Sequence, residues 1–183
     1  MSTTVIYSNA GDPDTLALQR IWEGLEDVHV VEITPDSKYY ELEVDNAIEN
    51  EDDTLIFAGH GTSRGLLFPD FSKEEYILHF FNARLVHAKR VICVWCYASE
   101  FCKEHFTNCF STGMFISNIN EAVDNCIIAT DKEIQACEES FCTELNELIR
   151  SDIDINDWAD VIYYRSTNWS ALEGFNYGGL ETF

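Results

Sequence analysis

Thr54-Leu55-Ile56-Phe57-Ala58-Gly59-His60-Gly61-Thr62 and Arg90-Val91-Ile92-Cys93-Val94-Trp95-Cys96-Tyr97-Ala98-Ser99 have the same construction. In each, an apolar run of strand length stops abruptly at a polar cluster. A strand with one solvated face alternates apolar and polar residues, whereas these runs are apolar throughout, as in parallel strands covered on both faces. A parallel sheet needs crossovers, which are usually helices, so the two runs predict an α/β fold.

Outward from these runs the chain keeps that rhythm. Thr3-Thr4-Val5-Ile6-Tyr7-Ser8 and Val28-His29-Val30-Val31-Glu32-Ile33 read as two earlier strands. Between them, Pro13 opens a helix over 13–25 with Asp12 as its cap. A polar helix is expected over 37–47 and an apolar-faced one over 74–85, where Tyr76, Ile77, Phe80, Phe81 and Leu85 recur at helical spacing. After Cys96 the pattern gives a helix over 99–106, a strand over 124–130 and a long amphipathic helix over 133–150. One more helix follows Asp152, and then an aromatic, glycine-rich tail over 168–183. The expected architecture is a three-layer α/β/α sandwich around a mostly parallel sheet, a single domain spanning 1–183.

Composition narrows the function. The chain of 183 residues carries 33 Asp and Glu against 11 Lys and Arg, a formal net charge of -22. Nucleic acid and anionic membrane surfaces both call for a basic face, so neither is an expected partner. A cationic partner or a basic peptide is favoured. No apolar run approaches the ~18 residues of a membrane span, and 1–10 has no leader pattern. The seven cysteines are odd in number and irregularly spaced, which suits reduced thiols in a cytoplasmic protein, most of them small core residues. Cys93 and Cys96 form a C-x-x-C, but it lies inside an apolar run with no second pair. Cys102 and His105 share a helix turn without further ligands in view. No metal and no cofactor is therefore expected.

In an open parallel sheet, sites form at the carboxyl ends of the strands. Both polar clusters fall at such ends, so adjacent strands would bring His60 and Cys96 to one rim. A thiolate is a nucleophile, and an imidazole within reach can take its proton and return it to a leaving amine. The amides of Gly61 and Cys96 are candidate oxyanion donors. A helix opening just after Cys96 is expected to lower the thiol's pKa through its dipole. Asp12 and Asp131, each at the end of an expected strand, are candidates for binding a basic substrate side chain. For Asp131 the competing reading is a cap on the helix that follows. Arg64 alone offers little for an acidic one.

The two stretches Leu55–Gly61 and Val91–Cys96 resemble the paired signatures of the caspase-like cysteine peptidase clan, which includes caspases, metacaspases, gingipain-type peptidases and CHAT domains. In that clan an apolar strand ends in His-Gly and a later one ends in the nucleophilic Cys. The resemblance implies His60 as general acid/base and Cys96 as nucleophile of an endopeptidase acting on protein or peptide substrates, with P1 open between basic and acidic residues and the charge leaning to basic. Two rivals stand beside it. One is a catalytically inactive caspase-like interaction module, and a regulatory protein partner is compatible with either of these readings. The other is a flavodoxin-like or nucleotide-binding module, disfavoured because Asn9-Ala10-Gly11-Asp12-Pro13 lacks the glycines of a phosphate loop and carries an acid.

Overall fold

The computed structural model describes residues 2–166 and 169–183; Met1, Thr167 and Asn168 lie outside the described residues. In chain order the strands are β1 (Thr3–Ser8), β2 (Val28–Ile33), β3 (Thr54–Ala58), β4 (Gly61–Thr62), β5 (Gly65–Leu67), β6 (Tyr76–Leu78), β7 (Arg90–Val94), β8 (Cys109–Ser111) and β9 (Glu181–Thr182). The α-helices are α1 (Pro13–Ala17), α2 (Tyr40–Glu49), α3 (Ala98–His105), α4 (Ile119–Asp124), α5 (Asp131–Ile149), α6 (Trp158–Arg165) and α7 (Ala171–Gly178). Six strands form one sheet in the order β2-β1-β3-β7-β8-β9, parallel throughout except for β9. A small antiparallel sheet, β4-β5-β6, lies beside it.

Alternation along the buried strands divides the core in two, because successive side chains leave a strand on opposite faces. Val5, Tyr7, Ile56, Ala58, Ile92 and Val94 face one core, closed by α5, α6 and α7. Ile6, Leu55, Phe57, Val91 and Cys93 face the other, closed by α2, α3 and the small sheet. Every residue of β1 and β3 is buried, as expected of strands covered on both faces. Among the described residues, no helix is long and apolar enough to cross a membrane.

Two sequence expectations fail. The helix over 74–85 does not form: Tyr76–Leu78 is strand β6, pairing antiparallel with β5, and only Ala83–Leu85 makes a 3-10 turn. Asn82 accounts for the break, accepting from the His79 amide at 2.9 Å and donating to the Ile77 carbonyl at 2.8 Å. Phe80 and Phe81 consequently stay exposed instead of sharing an apolar helix face. The strand over 124–130 is also absent. Asn118 caps α4 through the Glu121 amide, the chain turns at Cys126 with φ +58°, and Ile128 is 99% exposed. The strand beside β7 is instead Cys109–Ser111, only three residues long and without a sequence signature of its own.

The helices flanking the first strands keep roughly their expected places. The first is shorter than expected and continues as a 3-10 turn over Leu18–Ile21. The second is shifted later in the chain. The stretch after Asp152 holds two helices and β9 where one helix was expected.

Candidate active site

β1, β3, β7 and β8 run parallel, so their carboxyl ends meet at one rim and deliver four short segments there. β1 leads to Asp12 and α1, β3 to Gly59-His60, β7 to Trp95-Cys96, and β8 to Thr112-Phe115. His60 and Cys96 line one narrow cleft of about 40 Å³, together with Asp14, Phe115, Ser117 and Glu138.

Close approach explains the glycines around His60. Gly59 has φ +148°, and a Cβ there would sit 2.6 Å from the Ser8 Cβ and 2.8 Å from the Ser8 carbonyl oxygen. A Cβ on Gly61 would run into the Trp95 ring, whose Nε1 donates to the Thr62 carbonyl at 3.0 Å. Gly61 opens β4 next to the cleft, while Gly59 lines it.

Asp12 is where the sequence reading was incomplete. It is the N-cap of α1, with Oδ1 accepting from the Thr15 amide at 2.8 Å, and its Oδ2 lies 2.8 Å from His60 Nε2. Burial works against the charged carboxylate, but the Thr15 and His60 contacts outweigh it and hold the Asp12 pKa below its ordinary value. The carboxylate thereby fixes the ring orientation of His60 and leaves Nδ1 as the nitrogen able to work elsewhere.

Cys96 sits at the sharp passage from β7 into α3. The next residue, Tyr97, is left-handed at φ +67°, and its amide donates to the Gly113 carbonyl at 3.0 Å. Thr112 Oγ1 pins the segment from below, donating to the Trp95 carbonyl at 2.7 Å and accepting from the Trp95 amide at 3.1 Å. The Cys96 Sγ donates to the Phe115 carbonyl at 3.6 Å, and among the described residues no hydrogen bond joins it to His60. The expected lowering of its pKa does not occur. Burial, with the carboxylates of Glu121 and Asp14 adding repulsion, outweighs the Phe115 contact and pushes the thiol up to about 11. A short helix dipole is too weak to offset desolvation together with two negative neighbours.

Asp131, expected at a strand end, is an exposed first-turn residue of α5, and Thr130 provides the cap in a capping box with Glu133. It lines a second groove, which shares Asp14, Ser117 and Glu138 with the cleft. Those acids are what the sequence reading missed. Ser117 Oγ lies 3.0 Å from Asp14 Oδ2 and 3.1 Å from Glu121 Oε2. Glu138 is pushed up to about 8 by burial and by the carboxylates of Asp14, Glu121, Asp12 and Glu139. A signal for Glu138 existed: it occupies the buried stripe of α5 with Ile134, Phe141, Cys142 and Leu145. An acid on an apolar stripe needs a reason to be there.

Five of the seven cysteines are buried, Cys96 is partly exposed and Cys126 is exposed. Cys93 does not face Cys96; its sulfur groups with those of Cys102 and Cys109, all within 4.8 Å of one another. No protein-family model matches the chain, and no curated protein matches it.

Proposed function

We propose that the chain is a caspase-like cysteine peptidase in which Cys96 attacks the scissile carbonyl, His60 moves the proton and Asp12 orients His60. The observation that carries this reading is that His60 and Cys96 line one cleft at the carboxyl rim of a parallel sheet. In the resting protein Cys96 is a thiol. Attack therefore proceeds with transfer of its proton to His60 as the S–C bond forms. The tetrahedral oxyanion is held by the Gly61 and Cys96 amides. Collapse expels the amine, which takes the proton from His60 and leaves a thioester that water hydrolyses.

Acidic walls favour a basic P1 side chain. Asp14 lines the cleft and Asp131 extends its negative charge along the adjoining groove, where Arg20 pairs with Glu139 at 3.1 Å; Glu138, raised to about 8, is mostly neutral and offers a hydrogen-bonding wall. A cation bound there would offset the negative charges that raise the Cys96 pKa, so the substrate itself would assist formation of the thiolate. Turnover of a fluorogenic peptide panel with Arg, Lys or Asp at P1, by the wild type, Cys96→Ala and His60→Ala, tests the reading. Cleavage after Arg or Lys that is lost in both variants is expected, and cleavage retained in Cys96→Ala would sink it.

A second reading, a catalytically inactive caspase-like interaction module, is favoured by the protonated resting thiol and its lack of a hydrogen bond to His60. It predicts no turnover on any peptide, including those with Arg or Lys at P1.

A further inference from the structure

On the opposite face of the sheet from the cleft, Cys93 of β7, Cys102 of α3 and Cys109 of β8 converge. All three are fully buried, and their sulfurs lie within 4.8 Å of one another. We propose that these three cysteines form a binding site for a thiophilic d10 metal ion, cuprous or zinc. The geometry fits with little adjustment. Metal–thiolate bonds of about 2.3 Å in a trigonal arrangement place the sulfurs about 4.0 Å apart.

The chemistry of the donors restricts the ion. Three soft sulfurs in a largely apolar core, with the Ser111 hydroxyl beside Cys102, exclude calcium and magnesium, which take several oxygen ligands. Three-coordination suits a cuprous ion, whereas structural zinc normally takes four ligands. Charge pulls the other way: three thiolates leave one net negative charge on zinc and two on a cuprous ion, and the surrounding core is apolar. Binding replaces each S–H bond with an S–metal bond and releases that proton to solvent. No electron is transferred, so the ion enters in the oxidation state in which it stays.

A way in exists along the sheet edge. β9 is two residues long and covers β8, with Cys109 and Phe183 exchanging backbone hydrogen bonds at 3.1 and 3.0 Å. So short an edge strand opens locally at far lower cost than the central strands. An ion bound here would tie together the two strands and the helix that carry Cys96 and its left-handed turn. The site itself does not depend on the proposed peptidase activity.

The test uses the full chain, prepared under reductant without chelator. Its metal content is measured, and it is then titrated with Cu(I) and separately with Zn(II), each against a chromophoric competitor. Alkylation of each cysteine during brief exposure to denaturant, which uncovers thiols that only the fold shields, is followed by mass spectrometry with and without the ion. Stoichiometric binding of one of these ions is expected, with Cys93, Cys102 and Cys109 protected. Binding should be lost in Cys102→Ser and kept in Cys126→Ser, with circular dichroism reporting whether each variant folds. The ion that wins the competition identifies the source. If Cys102→Ser does not fold, the wild-type protection pattern still decides the matter. Wild type that retains neither ion, or an ion that leaves those three cysteines unprotected or persists in folded Cys102→Ser, overturns the proposal.

Discussion

Asp12 holds two structures together with one carboxylate, Oδ1 on the α1 amide and Oδ2 on His60. Asn caps a helix about as well as Asp, so Asp12→Asn should fold normally while losing the charge that steadies His60. For the proposed peptidase, turnover should fall on the order of 10²-fold with little change in melting temperature. Unchanged turnover would instead mark Asp12 as only a cap. Glu138 gives a prediction that needs no activity. The folded protein holds the Glu138 proton more tightly than the unfolded chain does, since its pKa rises from 4.5 to about 8. That contribution to stability is full below pH 4.5 and is lost as pH rises to about 8. Glu138→Gln should therefore unfold at higher urea than wild type above pH 8, and the advantage should shrink towards pH 4.5.

At the level of elements, the segment after α4 separates two pictures of the chain. Were 124–130 a core strand, Ile128→Thr would cost several kcal/mol. With Ile128 on the surface, urea denaturation should detect a change of no more than about 0.5 kcal/mol. The rim loop after β3 behaves oppositely. Gly59→Ala puts a methyl group against Ser8 at a backbone angle that disfavours side chains, and about 1–3 kcal/mol of destabilisation should appear in the same experiment. The helix after β7 and the long helix α5 were legible from apolar periodicity alone, since α3 has no side-chain cap and the cap of α5 is Thr130. The region 74–85 was misread because its apolar spacing fits a helix locally, while pairing with β5 and the side-chain bonds of Asn82 decide the backbone.

For the whole molecule, charge dominates. A net charge of -22 on 183 residues repels itself, and compaction brings the charges closer. Raising ionic strength from about 0.01 M to about 0.15 M shortens the screening length from about 30 Å to about 8 Å, so the melting temperature should rise. A flat or falling melting temperature would mean that the ion pairs, such as Arg165 with Glu144, outweigh the repulsion. The same surplus of acid reaches Cys96, where Glu121 and Asp14 raise the thiol's pKa. For the proposed peptidase, global composition and the cleft's charge favour the same basic P1 side chain.

The sequence by itself determined the parallel core. Its apolar runs are long enough and uniform enough that only burial on both faces satisfies them, and their ends put His60 and Cys96 on one rim. Near-neighbour chemistry was enough for that, and also for the cap at Asp12. Only the tertiary structure decided which carboxylate reaches His60, that Glu138 of a distant helix lines the same cleft as Cys96, that Cys109–Ser111 is the strand beside β7, and that three cysteines from separate elements meet. Each of those depends on side chains far apart in the chain being brought within a few ångströms, and no periodicity along the chain encodes such distances.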